Sequence, residues 1–257
     1  MASIIAGEYH TCAITTAGGV KCWGWNKYGQ LGDGSTTDSS VPVAVADLTS
    51  GVASISTGEY HTCALTMAGG VKCWGANWDG QLGNPSYADS SVPVAVADLT
   101  SGVASISGGS KHTCALTKAG GVKCWGRNTH GQLGDGSTTD SSVPVAVVGL
   151  TSGLASVSTG EYHTCAITTA GGVKCWGWNE DGQLGDGSTT DSSVPVAVAD
   201  LTSGVASISG GYHHTCVVTT AGGAKCWGAN WSGQLGNPSY VNSSVPMEVI
   251  NPYVVNP

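Results

Sequence analysis

Val52-Ala-Ser-Ile-Ser-Thr-Gly-Glu-Tyr-His-Thr-Cys-Ala-Leu-Thr-Met-Ala-Gly-Gly-Val-Lys-Cys-Trp-Gly75 holds three β-prone runs parted by two breaks. Val52 to Thr57 is rich in β-branched residues, and Gly58-Glu59-Tyr60 interrupts it. His61 to Thr66 alternates in character, Met67-Ala-Gly-Gly70 turns the chain, and Val71 to Gly75 runs back. A loop rich in Gly, Asn and Ser follows from Ala76 to Ser91. Val92-Pro-Val-Ala-Val-Ala97 is a fourth run, whose early proline suits a sheet edge. Four short strands with turns between them describe one antiparallel blade.

The blade recurs. Trp23, Trp74, Trp125, Trp176 and Trp227 each follow a Lys-Cys pair, and each lies 51 residues after the last. The repeats are 1–51, 52–102, 103–153, 154–204 and 205–255. A unit this short cannot bury a sizeable core alone, so the five are expected to stack into a single propeller domain spanning 1–257. A β-helix would have shorter repeats, and a sandwich would not need such strict copying. The fold class predicted is all-β: a five-bladed propeller of four-stranded blades. Met1-Ala-Ser-Ile-Ile-Ala6 matches a first strand, and the chain stops where another would begin. That offset predicts an N-terminal strand that pairs into the last blade and closes the ring.

The 257 residues include 40 glycines and nine tryptophans but no phenylalanine, and only 10% are charged. The net charge is −8, and Lys21, Lys72, Lys123, Lys174 and Lys225 account for five of nine basic residues. No basic stripe remains, which argues against nucleic-acid binding through phosphates. No apolar run is long enough to insert in a membrane. Met1-Ala2-Ser3 runs straight into the first repeat, with no export signal in this chain.

Each repeat carries two cysteines ten apart: Cys12 and Cys22, Cys63 and Cys73, Cys114 and Cys124, Cys165 and Cys175, Cys216 and Cys226. An even count at fixed spacing reads as a disulfide framework, and hence an extracellular or periplasmic setting. Zinc ligation and buried reduced thiols are the alternatives. If Thr16-Ala17-Gly18 forms the turn, Thr15 faces Gly19, Ile14 faces Val20 and Cys12 faces Cys22 as a non-hydrogen-bonded pair.

The copies carry Gly-x-x-His-Thr-x-Ala, Val-x-x-Trp-Gly-x-Asn-x-x-Gly-Gln-Leu-Gly and Val-Pro-Val. In the fourth they stand as Gly160 to Ala166, Val173 to Gly185 and Val194 to Val196. This pattern, over nearly the whole chain, resembles the regulator of chromosome condensation repeat family, and the cysteine pair looks like its secreted bacterial version. The resemblance implies a propeller, usually of seven blades where this chain has five repeats. It also implies binding functions. Nucleotide exchange on a small GTPase and chromatin binding transfer poorly, because the strict spacing leaves no wedge-like insertion and no face is basic. Protein binding through the loops of one face, as in a secreted inhibitor-type relative, is closer in style.

In an up-and-down blade, the loops after the first and third strands emerge on one side. The copies differ there and stay nearly uniform on the other side. The candidate partner-binding residues are Tyr9, Trp25, Tyr28, Tyr60, Trp78, Lys111, Arg127, His130, Tyr162, Trp178, Tyr212 and Trp231, of types favoured at interfaces. Drift on solvated loops is the alternative account. Copies one and four are alike here, as are two and five.

His10, His61, His112, His163 and His214 form a ring of equivalents, read as structural residues bonding a neighbouring loop rather than as metal ligands. Loops such as Asp33 to Asp38 lack the full calcium-binding pattern and read as turns. No catalytic constellation appears, and no cofactor is expected. The expectation is a non-enzymatic scaffold binding a protein or surface. A lectin-like module with tryptophan platforms, or a structural subunit, natural or engineered, is the alternative.

Overall fold

The computed structural model describes residues 1–250, and every regular element among them is a strand. Each blade is a four-stranded antiparallel sheet in sequence order. The first blade comprises Ser3–Ala6, His10–Ile14, Val20–Gly24 and Ser39–Ala44. The second comprises Val52–Thr57, His61–Thr66, Val71–Gly75 and Ser90–Ala95. The other three begin at Val103, Leu154 and Val205 and end at Ala146, Ala197 and Glu248.

The first three strands of the second blade fall where the sequence places them. The fourth starts two residues early, at Ser90 rather than Val92. Ser90 Oγ folds back to donate to Val92 O at 2.7 Å, and the register with the third strand slips between Cys73 and Gly75. Such a bulge lets the strand begin inside what reads as loop.

The central hairpin has the expected register, with Cys12 opposite Cys22 and Ile14 opposite Val20. All five cysteine pairs are disulfides, each with Cα atoms 4.1 Å apart.

The core lies between blades rather than within them. Cys12, Ile14, Val20, Leu31, Val45 and Leu48 of the first blade pack around Val52, Ala64 and Trp74 of the second. Equivalent clusters join the second blade to the third, the third to the fourth and the fourth to the fifth. Polar bonds follow the same step. Trp74 Nε1 donates to Gln30 O at 2.9 Å, and Thr62 Oγ1 donates to the same carbonyl at 3.0 Å. His10 Nε2 meets that hydroxyl at 2.8 Å. The ring of histidines is thus structural, but each of the first four bonds a strand threonine of the next blade rather than a loop.

Ring closure is not as the sequence suggested. Ser3–Ala6 pairs with His10–Ile14 in its own blade, and the last blade supplies all four of its strands itself. Among the described residues no hydrophobic cluster and no hydrogen bond joins the fifth blade to the first. The physical reason is local: Ser3–Ala6 spends its ladder on the adjacent His10–Ile14, and Ser243–Glu248 already completes the fifth blade. Among the described residues, Ile4 of the first blade and Val218 of the fifth stay exposed, 67% and 45%, so the five blades are left with two outer edges.

Candidate functional site

The loops after the third strands have a common scaffold. Asn26 is fully buried; its backbone N–H donates to Asp38 Oδ1 at 2.8 Å and its side-chain amide to Thr37 O at 3.0 Å. Leu31 N–H donates to Asn26 Oδ1 at 2.9 Å, and Gly29 N–H to Asn26 O at 2.9 Å. The loop is therefore wrapped around one side chain, and Asn77, Asn128, Asn179 and Asn230 do the same. The Asp38 carboxylate accepts from backbone, as a turn-forming residue does.

One backbone bond ties the two variable loops of each blade together: Trp25 N–H to Tyr9 O, Ala76 to Tyr60, Arg127 to Lys111, Trp178 to Tyr162 and Ala229 to His213, all at 2.9 Å. The side chains that differ among copies are thus presented from one rigid rim.

They gather into two groups. In the first, Tyr9 stacks nearly parallel on Tyr60, centroids 5.9 Å apart. Trp25 meets Tyr9, Tyr28 and Tyr60 edge-on at 5.3–5.6 Å, and Tyr28 meets Trp78 at 4.6 Å. Tyr9, Trp25 and Tyr60 line a hollow of about 440 Å³. In the second, Trp178 meets Tyr162 and His213, and His213 meets Tyr212 and Trp231. His130 joins this group beside Tyr162 and Trp178, with Nδ1 2.9 Å from Asp191 Oδ2. The Arg127 guanidinium lies 5.2 Å from the Tyr162 ring centre. Trp78 and Trp231 are the most open of the tryptophans, 39% and 54% exposed. Lys111 is half-buried, and its charge acts on the Asp79 carboxyl.

The candidate residues do not include the acidic groups inside this rim, although these lie on the same variable positions. Glu8, Glu59, Ser110, Glu161 and Tyr212 occupy equivalent positions around a central opening of about 250 Å³. Ser110 Oγ donates to Glu59 Oε2. His213 lies 3.4 Å from Glu161 Oε2 and 3.3 Å from Asp181 Oδ2. Burial raises the carboxyl pKa of Glu161 and Asp79. Hydrogen bonds to Glu59 and Glu161 push Tyr60 and Tyr212 well above the ordinary phenol value, and burial first, then the Glu161 charge, pushes Tyr162 up to about 12. The available signal was the presence of Glu in three copies and its loss at Ser110 and Tyr212. The face thus offers aromatic planes around a rim of acceptors, chemistry suited to binding.

A model described as the regulator of chromosome condensation (RCC1) repeat matches residues 17–65, 68–116, 119–167 and 170–218. A second model of the same description matches 2–30, 52–81, 103–132, 154–183 and 205–234. The chain is 34% identical over 253 residues to the ultraviolet-B receptor UVR8 of Arabidopsis thaliana, covering 96% of this chain and 57% of the receptor. It is 34% identical to the mitochondrial RCC1 domain-containing protein RUG3 of the same plant, again spanning 58% of that relative's length. Human WBSCR16 superposes with a TM-score of 0.86 at 26% identity, over 97% of this chain and 67% of that one. Prp20p of Saccharomyces cerevisiae, described with binding properties to Gsp1p and histones, superposes with a TM-score of 0.83 at 22% identity, covering 98% of this chain and 64% of that one, and shows the shared fold alone.

Proposed function

We propose that this chain, which belongs to the RCC1 repeat family, is a non-enzymatic scaffold that binds a protein partner through the face carrying the loops after the first and third strands. One observation carries the reading: the side chains that differ most among otherwise copied repeats converge on a single rigid rim. The two aromatic groups supply large apolar area at little entropic cost, and the acidic inner rim favours a partner with basic groups. Prp20p, which binds proteins, lends precedent of style. The five disulfides support an extracellular or periplasmic setting for this chain.

The exposed planes of Trp78 and Trp231 favour one second reading, stacking on sugar rings. Panning a displayed peptide and protein library, beside a glycan array, with wild type and with Tyr60→Ala/Trp78→Ser/Trp231→Ser tests both. Protein binders lost by the triple variant, at unchanged thermal stability, support the proposal. Binders retained by the variant sink it. Glycan binding without protein binding favours the second reading.

A further inference from the structure

The four inner junctions share one construction, and among the described residues the two outer edges carry its unmatched halves. Ile14, Leu65, Leu116 and Ile167 are each 3–5% exposed because the next blade covers them, whereas the equivalent Val218 is 45% exposed. Ile55, Ile106, Val157 and Ile208 each pack against the preceding blade's cluster, whereas the equivalent Ile4 is 67% exposed. Trp74, Trp125, Trp176 and Trp227 are fully buried, each donating to the carbonyl of Gln30, Gln81, Gln132 or Gln183. Trp23 is only half-buried, and among the described residues no donor meets Gln234 O. The backbone repeats the pattern. A Cβ built on Gly32, Gly83, Gly134 or Gly185 would strike the next blade's tryptophan, while one on Gly236 meets only Val249 of its own blade.

Each leftover on one edge therefore has its mate on the other. The indole N–H of Trp23 matches Gln234 O, the Thr11 hydroxyl matches His214 Nε2, and Ile4 matches the surface around Val218. We propose that these edges bind each other between molecules: the fifth blade of one copy of this chain receives the first blade of a second copy, in the arrangement of the inner junctions. The occupant is a second copy because no other partner is specified so fully; four examples of the finished contact are present in the same molecule. The contact is heterologous, so each added copy leaves one edge of each kind free, and assembly proceeds head to tail. This surface is separate from the aromatic rim and does not depend on its function.

Light-scattering mass over a concentration series tests the proposal with the oxidised 257-residue chain. The mass is expected to rise with concentration above 25.7 kDa. A mass fixed at that value at every concentration overturns the proposal and leaves the edges to other blades. Ile4→Glu destroys one edge and Val218→Glu the other, and both side chains face solvent in the single chain, so each variant should fold, as circular dichroism and thermal melting would verify. Alone, each is expected to lose association. Mixed, they retain one complementary pair of edges and should give a species of twice the chain mass and nothing larger. Association that survives in either variant alone also overturns the proposal.

Discussion

At residue scale, His61 shows how one buried group sets the state of another. Thr113 Oγ1 donates its only proton to Gln81 O at 3.2 Å, so His61 Nε2, 2.8 Å from that hydroxyl, must be the donor. The ring is neutral with its proton on Nε2, and Nδ1 is buried without a partner. Removing the hydroxyl strands the imidazole N–H. Thr113→Val is expected to cost about 1–3 kcal/mol, whereas Thr11→Val, where no histidine arrives among the described residues, should be near neutral. Urea denaturation of the two variants checks this, and equal losses would refute the relay. The same burial makes stability depend on acid. His10 is held down to about 4, and His61, His112 and His163 to about 3. The unfolded chain takes up protons as the pH falls through about 6.5, while the folded chain does not. The contribution of these groups is therefore complete above that pH. It declines toward pH 4 by as much as about 1.4 kcal/mol per pH unit for each histidine. Asp79 and Glu161, with raised pKa values, oppose the slope at its acid end. Denaturation midpoints measured from pH 7 down to pH 4 should fall, and His61→Gln should flatten the decline.

At the scale of the element, the disulfide-clamped hairpin is copied five times, yet its copies are not equally protected. Cys63, Cys73, Cys114, Cys124, Cys165 and Cys175 are fully buried beneath the next blade, while Cys216 is part-exposed. Access governs thiol exchange, so mild reductant should open Cys216–Cys226 first. Alkylation and peptide mass mapping at partial reduction reads the order; simultaneous reduction of all five would contradict it. The hairpin was the most legible part of the sequence. Gly69 and Gly70 mark its turn, and the ten-residue cysteine spacing sets its register, because side chains alternate with a period of two. The start of the fourth strand was less legible, since Ser90 and Ser91 read as loop until the Ser90 hydroxyl is seen bonding the backbone around Val92. Of the rim, the choice of variable aromatic positions was visible from the order of copies. Their grouping was not, because Tyr28 reaches Trp78 and Trp178 reaches His213 across blade boundaries. Glu59 and Glu161 fall on the variable positions but stayed off the candidate list, because nothing local distinguishes a carboxylate facing a central opening from one in solvent.

For the whole molecule, the repeat specifies a blade and its neighbour but not how many blades complete a turn. That number follows from the rotation between blades, which depends on how Trp74, Trp125, Trp176 and Trp227 seat against the loops before them. The five blades are as expected, but the strand expected to close them, Ser3–Ala6, pairs within its own blade instead of the last one. In such a nearest-neighbour architecture, stability is a sum of units and junctions, and the same substitution should have different effects along the chain. Trp125 is fully buried, donates to Gln81 O at 2.9 Å and anchors the junction of the second and third blades. Trp125→Ala removes the ring and leaves a cavity, a loss of about 3–5 kcal/mol. Trp23 has the same sequence neighbours, Cys22 and Gly24, but is only half-buried, with no preceding blade covering it among the described residues, so Trp23→Ala should cost about 1 kcal/mol or less. Both are measured by chemical denaturation in dilute solution, where the chain is alone. Equal costs would mean that Trp23 is covered in the single chain after all, and that the blades close on themselves. A large difference that shrinks as protein concentration rises would instead show a second molecule covering Trp23, since a partner that binds only the folded state adds to its stability by mass action.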